Sequence, residues 1–377
     1  MPSVNQGTTP TQSLLEQIVQ VRPREVSGSR SSNRSDYQKS WAFCLLLKLH
    51  RTGQDYLVLF DYHDDVVVLD SSSNPTAMDF YQVKTKKTGN WTATLLLKRE
   101  KGVNDQPLNS IAGKMYANKI AFPSAAKTLN FISNAQFSIK HKDNPNSPTV
   151  VDGFELAELC RDTLTEFSKT IQQEHDLDYS PLCDIITKFS SDPLSLEAHV
   201  THSTGELANY LNGVKPDGKF ATVPGQRAIA TAIARRTNHE RTPTTKDELI
   251  EAKGITRAEF EQMLSTIVSH EEERERWQDI RQTLSTEQLP FGDIQRWQSE
   301  WKKYAVERMD FSNTVLMAVQ RAMKNIILDS KLENPSRTLR ELIADCFRRF
   351  DMKTHNAPTP FSGDYLTTII LFEASEE

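Results

Sequence analysis

The chain has 377 residues, 37% hydrophobic and 25% charged, with a formal net charge of −5 and a pI near 6.0. That length can bury a sizeable core and hold two domains. The acidic balance argues against a protein that coats nucleic acid through bulk charge, although local basic patches are compatible with it. No apolar run approaches the ~18 residues needed to span a membrane, and residues 1–13 have neither a basic nor an apolar leader pattern, so no secretory signal is read. Cys44, Cys160, Cys183 and Cys346 are scattered singly, which excludes a compact thiolate zinc site and points to reduced thiols in the cytoplasm.

In chain order, residues 1–21 read as a flexible polar N-terminus, with one short helix around 14–19. Residues 28–34 form a polar loop carrying Arg30 and Arg34. A helix is expected over 36–50, where Trp41, Cys44, Leu45 and Leu47 share an apolar side without Gly or Pro. Strand patterns follow at 56–60 and 66–69, separated by the polar bend at 61–65, and again at 78–85, where Phe80, Gln82 and Lys84 alternate with Tyr81 and Val83. A helix around 108–120 and a strand at 128–132 complete an α/β order. A helix is expected over 154–175 and one late strand at 195–199. A linker at 214–218 then leads into a region where strand signals are largely absent. Thr245-x-x-Glu248 and Thr256-x-x-Glu259 are capping-box patterns. Later helices carry the stripe Ile294, Trp297, Trp301 and Tyr304, then 315–328 and 338–350.

The chemistry concentrates between Asp61 and Lys86. Gln82 and Lys84 are two apart on a strand and point to one face, and a hairpin brings Asp65 toward them. An acidic ligand, a second oxygen ligand and a lysine are the parts of metal-assisted phosphodiester cleavage: oxygen ligands suit Mg²⁺, and the lysine orients water and offsets developing charge. Alone, this D…QxK spacing is weak, because Asp64 and Asp65 are ordinary turn formers and lysines ordinarily sit at solvated strand ends. His63 reads as an exposed bend residue before it reads as a base. His199 and His202 read as structural or solvent-facing. The Trp297/Trp301/Tyr304 stripe reads as helix packing rather than a base-stacking platform.

Five segments agree in order with one family: Arg22-Pro-Arg-Glu25, Gly28-Ser-Arg30, Asp36-Tyr-Gln-Lys-Ser-Trp41, Tyr62-His-Asp-Asp-Val66 and Asp79-Phe-Tyr-Gln-Val-Lys-Thr85. Together they resemble a bacterial antiphage endonuclease family found in cyclic-oligonucleotide-activated Cap effectors and as a stand-alone partner of HerA-like hexameric ATPases. The match is strongest over 22–90. It implies a restriction-endonuclease-like PD-(D/E)xK core and double-stranded DNA as substrate, cut with little sequence specificity. By position, Asp65 takes the aspartate role, Gln82 the place more often held by Glu, and Lys84 the lysine; Asp65 and Gln82 are the implied Mg²⁺ ligands, with Mn²⁺ able to substitute. Gln38 falls where relatives place a helix-borne Glu or Gln. Because Gln82 is neutral, Asp61 or Asp64 is left to supply the missing charge, and the sequence does not choose.

Arg30, Arg34, Lys86, Lys87 and Arg99 are the expected DNA-phosphate contacts, a mere solubilising surface being the alternative. The expected layout is a nuclease domain over 22–212 and an all-α domain over 213–377 that self-associates and docks the ATPase. Two other classes remain: a DNA-binding regulator built on a helix–turn–helix-sized unit at 245–270, whose helices are acidic, and a catalytically silent scaffold.

Overall fold

The computed structural model describes residues 13–23, 32–102, 105–181, 185–216, 218, 220–269, 273–311, 313–354 and 360–375. Two compact units emerge. One takes in the chain up to Glu206 and then Ile233–Phe260; the other takes in Leu207–Ala232 and Glu261 onward. The single boundary expected at 212/213 therefore gives way to an exchange, in which a later segment returns to the first unit. No helix among the described residues is long and apolar enough to cross a membrane.

In the first unit, α1 (Leu14–Gln20) opens on a full capping box between Ser13 and Glu16. It buries Leu14, Leu15 and Ile18 in the main core. The N-terminus expected to be flexible is thus anchored from Ser13, while residues 1–12 lie outside the described residues. The long helix α2 (Ser32–Arg51) precedes three antiparallel strands, β1 (Leu57–Tyr62), β2 (Asp64–Leu69) and β3 (Met78–Lys84). A short strand β4 (Trp91–Thr92) and turn α3 (Ala93–Leu96) lead to α4 (Ile111–Ala121), which crosses over to β5 (Ala126–Ser133), parallel to β3.

The hairpin β6 (Phe137–His141) and β7 (Asn144–Val151) pairs with β4 in a separate three-stranded sheet. Sequence patterning misses β7 because Pro145 and Pro148 read as loop. Proline is compatible with an exposed edge strand, where no ladder donor is needed. The helix expected over 154–175 is divided: β8 (Gly153–Glu155) comes first and α5 (Arg161–His175) only after it. The late strand is β9 (Ile186–Ser191), and residues 196–198 are a turn opening α6 (His199–Val214).

The main sheet has seven strands in the order β10-β1-β2-β3-β5-β9-β8. Its outer member β10 (Gly254–Thr256) corrects the expectation that the second half is all helical. It follows α7 (Thr222–Thr237) and α8 (Lys246–Lys253) and precedes α9 (Arg257–Ser269). The helix–turn–helix-sized unit at 245–270 is thus a helix, a strand paired with β1, and a helix. One face of the sheet (Leu57, Leu59, Val67, Leu69, Phe80, Phe131, Phe189) packs with α1, α4, α5 and Leu249 of α8. On the other face Tyr81 meets Trp41 of α2, ring centroids 5.3 Å apart.

The second unit centres on α10 (Glu273–Thr286), α11 (Phe291–Glu307), α12 (Thr314–Glu333), α13 (Leu339–Thr354) and α14 (Gly363–Ala374). The Trp297/Trp301/Tyr304 stripe is buried core, as its spacing indicates. Residues 365–373 of α14 are all buried. Its Glu373 Oε1 accepts hydrogen bonds from Tyr304 (2.5 Å) and Gln320 (2.9 Å), and Lys324 Nζ stands 3.0 Å from Oε2, so the buried carboxylate is held by an ion pair as well as by hydrogen bonds.

Candidate nuclease site

The site grows from the β1–β2 hairpin. Registers Phe60↔Val66 and Tyr62↔Asp64 bracket one further pair, which sets Asp61 opposite Asp65. Asp61 and His63 both have positive φ (48° and 67°), a conformation that costs a side-chain-bearing residue and clusters at functional bends. The bend breaks strand alternation: Tyr62 joins the core face of Leu57 and Leu59, while Asp61 joins Phe60, Asp65 and Val66 around a small cleft. Gln38, Lys39 and Ala42 of α2 and Ile233 and Thr237 of α7 complete the lining. Its volume of about 20 Å³ suits a water or a small ion.

Pairing between β2 and β3 stops at Val66↔Tyr81. One residue on, the Asp65 carboxylate takes over as acceptor, with Val83 N–H donating to Oδ2 at 2.7 Å. Lys84 Nζ stands 3.5 Å from the same oxygen. Gln38 Nε2 donates to Val83 O at 2.8 Å, binding α2 to the same point of β3. Asp65, Lys84 and Gln38 therefore converge on one strand end. Burial raises the Asp65 carboxyl above its ordinary range, and Lys84 and the Val83 N–H pull against that shift.

Gln82, between Val83 and the register end at Tyr81, has a buried side-chain carbonyl Oε1 with no hydrogen-bond partner. Buried acceptors are ordinarily satisfied, so this oxygen is suited to a ligand. Asp61 and Asp65 line the cleft, and Gln82, one residue beyond the Val66↔Tyr81 pair on β3, adds an oxygen donor of the kind hard divalent cations prefer. The site is lean in charge: no group of three or more His, Cys, Asp or Glu arranged to hold a metal occurs among the described residues.

The two spare aspartates are now separated by their surroundings. Asp64 accepts from Asn118 Nδ2 at 2.7 Å and from the Asp65 N–H at 2.9 Å, which turns its carboxylate to α4. Asp61 lines the cleft, and its Oδ2 is 3.9 Å from Lys253 Nζ. His63 is not merely exposed, since Nε2 lies 2.9 Å from the Ile18 carbonyl and its ring sits edge-on to Phe122. His199 is structural, its Nδ1 2.8 Å from Ser40 Oγ.

The expected phosphate contacts are divided. Lys87 is exposed. Lys86 is half-buried, donates to Asn90 O and lies 5.2 Å over the Trp91 ring. Arg99 donates to the carbonyls of Pro107 and Leu108 and approaches buried Glu174 at 3.6 Å. These geometries give Lys86 and Arg99 structural work. Arg30, and the side chain of Arg34, lie outside the described residues. Lys39 and Lys253 line or flank the cleft without having been singled out by any motif. Lys39 lies within the family-like segment 36–41, a signal that was available; Lys253 had none.

A strained acidic hairpin thus stands beside a Gln-x-Lys strand end in a mixed sheet. The model of the family described as Cap4, dsDNA endonuclease domain, matches residues 26–237, more than half of the chain. The chain belongs to that family. Over 77 residues it is 43% identical to the Lamassu protein LmuA of Bacillus cereus (strain VD014), a stretch covering 20% of this chain and 21% of that protein. The chain thus spans about a fifth of the length of that curated relative. No solved structure matches.

Proposed function

We propose that this protein is a divalent-metal-dependent endonuclease of a bacterial antiphage system, cutting double-stranded DNA with little sequence preference. Family membership supports the DNA substrate, and the LmuA stretch supports a place in defence. The observation that supports metal dependence is the buried, unpartnered Gln82 Oε1 on the strand end whose next residue, Val83, donates its N–H to Asp65. In this reading Asp65 and Gln82 hold Mg²⁺, or Mn²⁺ in its place, and Asp61 supplies the second carboxylate. When bound, such an ion polarises the phosphoryl group and acidifies the attacking water. Lys84 offsets the negative charge that builds on the phosphate and orients the water. Gln38 keeps the Val83 peptide, and with it Asp65, in place. Exposed Lys87 contacts DNA phosphates, which position a duplex without reading its bases.

The helical unit, in the same reading, carries self-association and the contact with a HerA-like hexameric ATPase in the cytoplasm. An unspecific nuclease needs a gate, and a partner chain would provide one. Incubation of plasmid with the full chain, with and without the ATPase, tests the proposal. Cleavage should appear with Mg²⁺ or Mn²⁺ and vanish with EDTA. Binding without cleavage under every condition would favour a regulator, and neither binding nor cleavage a scaffold. Light scattering should give a mass above the monomer, and a larger species when the ATPase is added.

A further inference from the structure

The two facing carboxylates of the hairpin have different lysine neighbours. Asp65 has Lys84, two residues along β3 from Gln82. Asp61 has Lys253, from the last turn of α8, some 190 residues later and beyond the family-matched segment, which ends at Thr237. Lys253 is 4% exposed, an uncommon place for an ammonium unless it is paired. Its Nζ also reaches the carbonyl of Thr237 at 3.5 Å, and Thr237 lines the cleft.

The segment bearing Lys253 is fixed rather than loosely laid on. Leu249 is fully buried in the core with Leu57 and Leu59. β10 pairs with β1 from the very next residue. Arg236 ties the end of α7 to the Gly254 carbonyl and to Glu259. Burial lowers the Lys253 pKa, and the Asp61 carboxylate opposes that shift.

We propose that Lys253 is a positioning residue of the nuclease site, holding the Asp61 carboxylate opposite Asp65 from outside the matched family segment. The inference rests on the metal-dependent nuclease reading above. Two like charges facing each other across a hairpin repel, and the strained backbone at Asp61 offers a way out. An ammonium fixed by α8 and Thr237 closes that way by attracting Asp61 from the flank. The polar groups Lys253 reaches are the Asp61 carboxylate and the Thr237 carbonyl, so its effect on the site passes through Asp61.

The test uses the full chain with Lys253→Met, which keeps the apolar stem, Lys253→Arg, Asp61→Asn, and the double variant Lys253→Met/Asp61→Asn. Outer partners of metal ligands are ordinarily worth about 10–100-fold. Lys253→Met should therefore lower kcat by ~10-fold or more, leave the KM for DNA unchanged, and speed amide exchange selectively over 60–65. Lys253→Arg should restore both. The double variant should cleave no worse than Asp61→Asn alone, since a residue acting through Asp61 has nothing further to lose. Wild-type cleavage and exchange in Lys253→Met, or a loss added to that of Asp61→Asn, would overturn the proposal. If Lys253→Met unfolds, the kcat and exchange of Asp61→Asn decide, an unaltered bend counting against. Absence of cleavage by the wild-type chain would sink the nuclease reading instead, while exchange over 60–65 would still show whether Lys253 holds the bend.

Discussion

Asp65 works at its position because it replaces a ladder acceptor at the place where β2 and β3 part. Its carboxylate is thereby fixed by backbone rather than by another mobile side chain. Lys84→Ala removes the ammonium beside it and should abolish cleavage while the thermal midpoint changes little, since Lys84 is partly exposed. Gln82→Glu should stay active, because it places a charged oxygen where a buried neutral one lacks a partner. An inactive, well-folded Gln82→Glu would argue that Oε1 holds no cation. Lys87→Glu should weaken duplex binding similarly for unrelated sequences and flatten its salt dependence, whereas Arg99→Glu should act on stability through Glu174 and the 107–108 carbonyls. That Asp65 and Lys84 meet at one strand end was legible because strand periodicity and a short spacing put them together. The different surroundings of Asp61 and Asp64 were not, since they depend on Lys253 and Asn118, which no local pattern connects to the bend.

At the scale of elements, the three strands around the site were legible from β-branched runs bounded by polar bends, and α2 from its apolar side. What failed had specific causes. β7 carries two prolines on an exposed edge, and β10 is only three residues between two good helices. α14 escaped because Thr367, Thr368, Ile369 and Ile370 are β-branched and their burial is all-round, so they present no stripe. β10 depends on a glycine for close approach: a Cβ on Gly254 would lie 2.8 Å from the Ile250 carbonyl and 2.8 Å from Leu57 Cδ1. Gly254→Ala should accordingly cost about 1–3 kcal/mol through overpacking. Thermal unfolding of the full chain would register it as a lowered midpoint. An unchanged midpoint would mean that β10 is not tightly set against β1.

On the scale of the whole molecule, the chain is two units in which a later segment completes the earlier sheet. A truncation near 212 would remove α8, β10 and Lys253, so it tests folding of the nuclease unit as much as assembly. The helical unit has its own electrostatic anchor in Asp345, which is 6% exposed. Burial alone would raise its pKa, but hydrogen bonds from Ser330, Arg348 and Arg349, with Arg337 alongside, hold the carboxyl well below the usual range. A depressed carboxylate contributes stability above the unfolded-state value of about 4 and loses it as pH falls below that, because the unfolded chain takes up the proton first. Asp345→Asn should destabilise this unit by about 1–3 kcal/mol at neutral pH, since the arginines it leaves behind are partly solvated. The gap from wild type should narrow once the pH drops below about 4; a gap that stayed constant would show that Asp345 is not paired as described. The central claim, that the Asp65 cleft cuts duplex DNA with a divalent ion, is tested most directly by plasmid cleavage under single-turnover conditions. Wild type and the near-isosteric Asp65→Asn should be compared, each with Mg²⁺ and with EDTA. The account predicts metal-dependent nicking and linearisation by wild type, and a loss of at least ~100-fold in Asp65→Asn with duplex binding retained. Equal cleavage by the two proteins, or cleavage by wild type undiminished in EDTA, would contradict it.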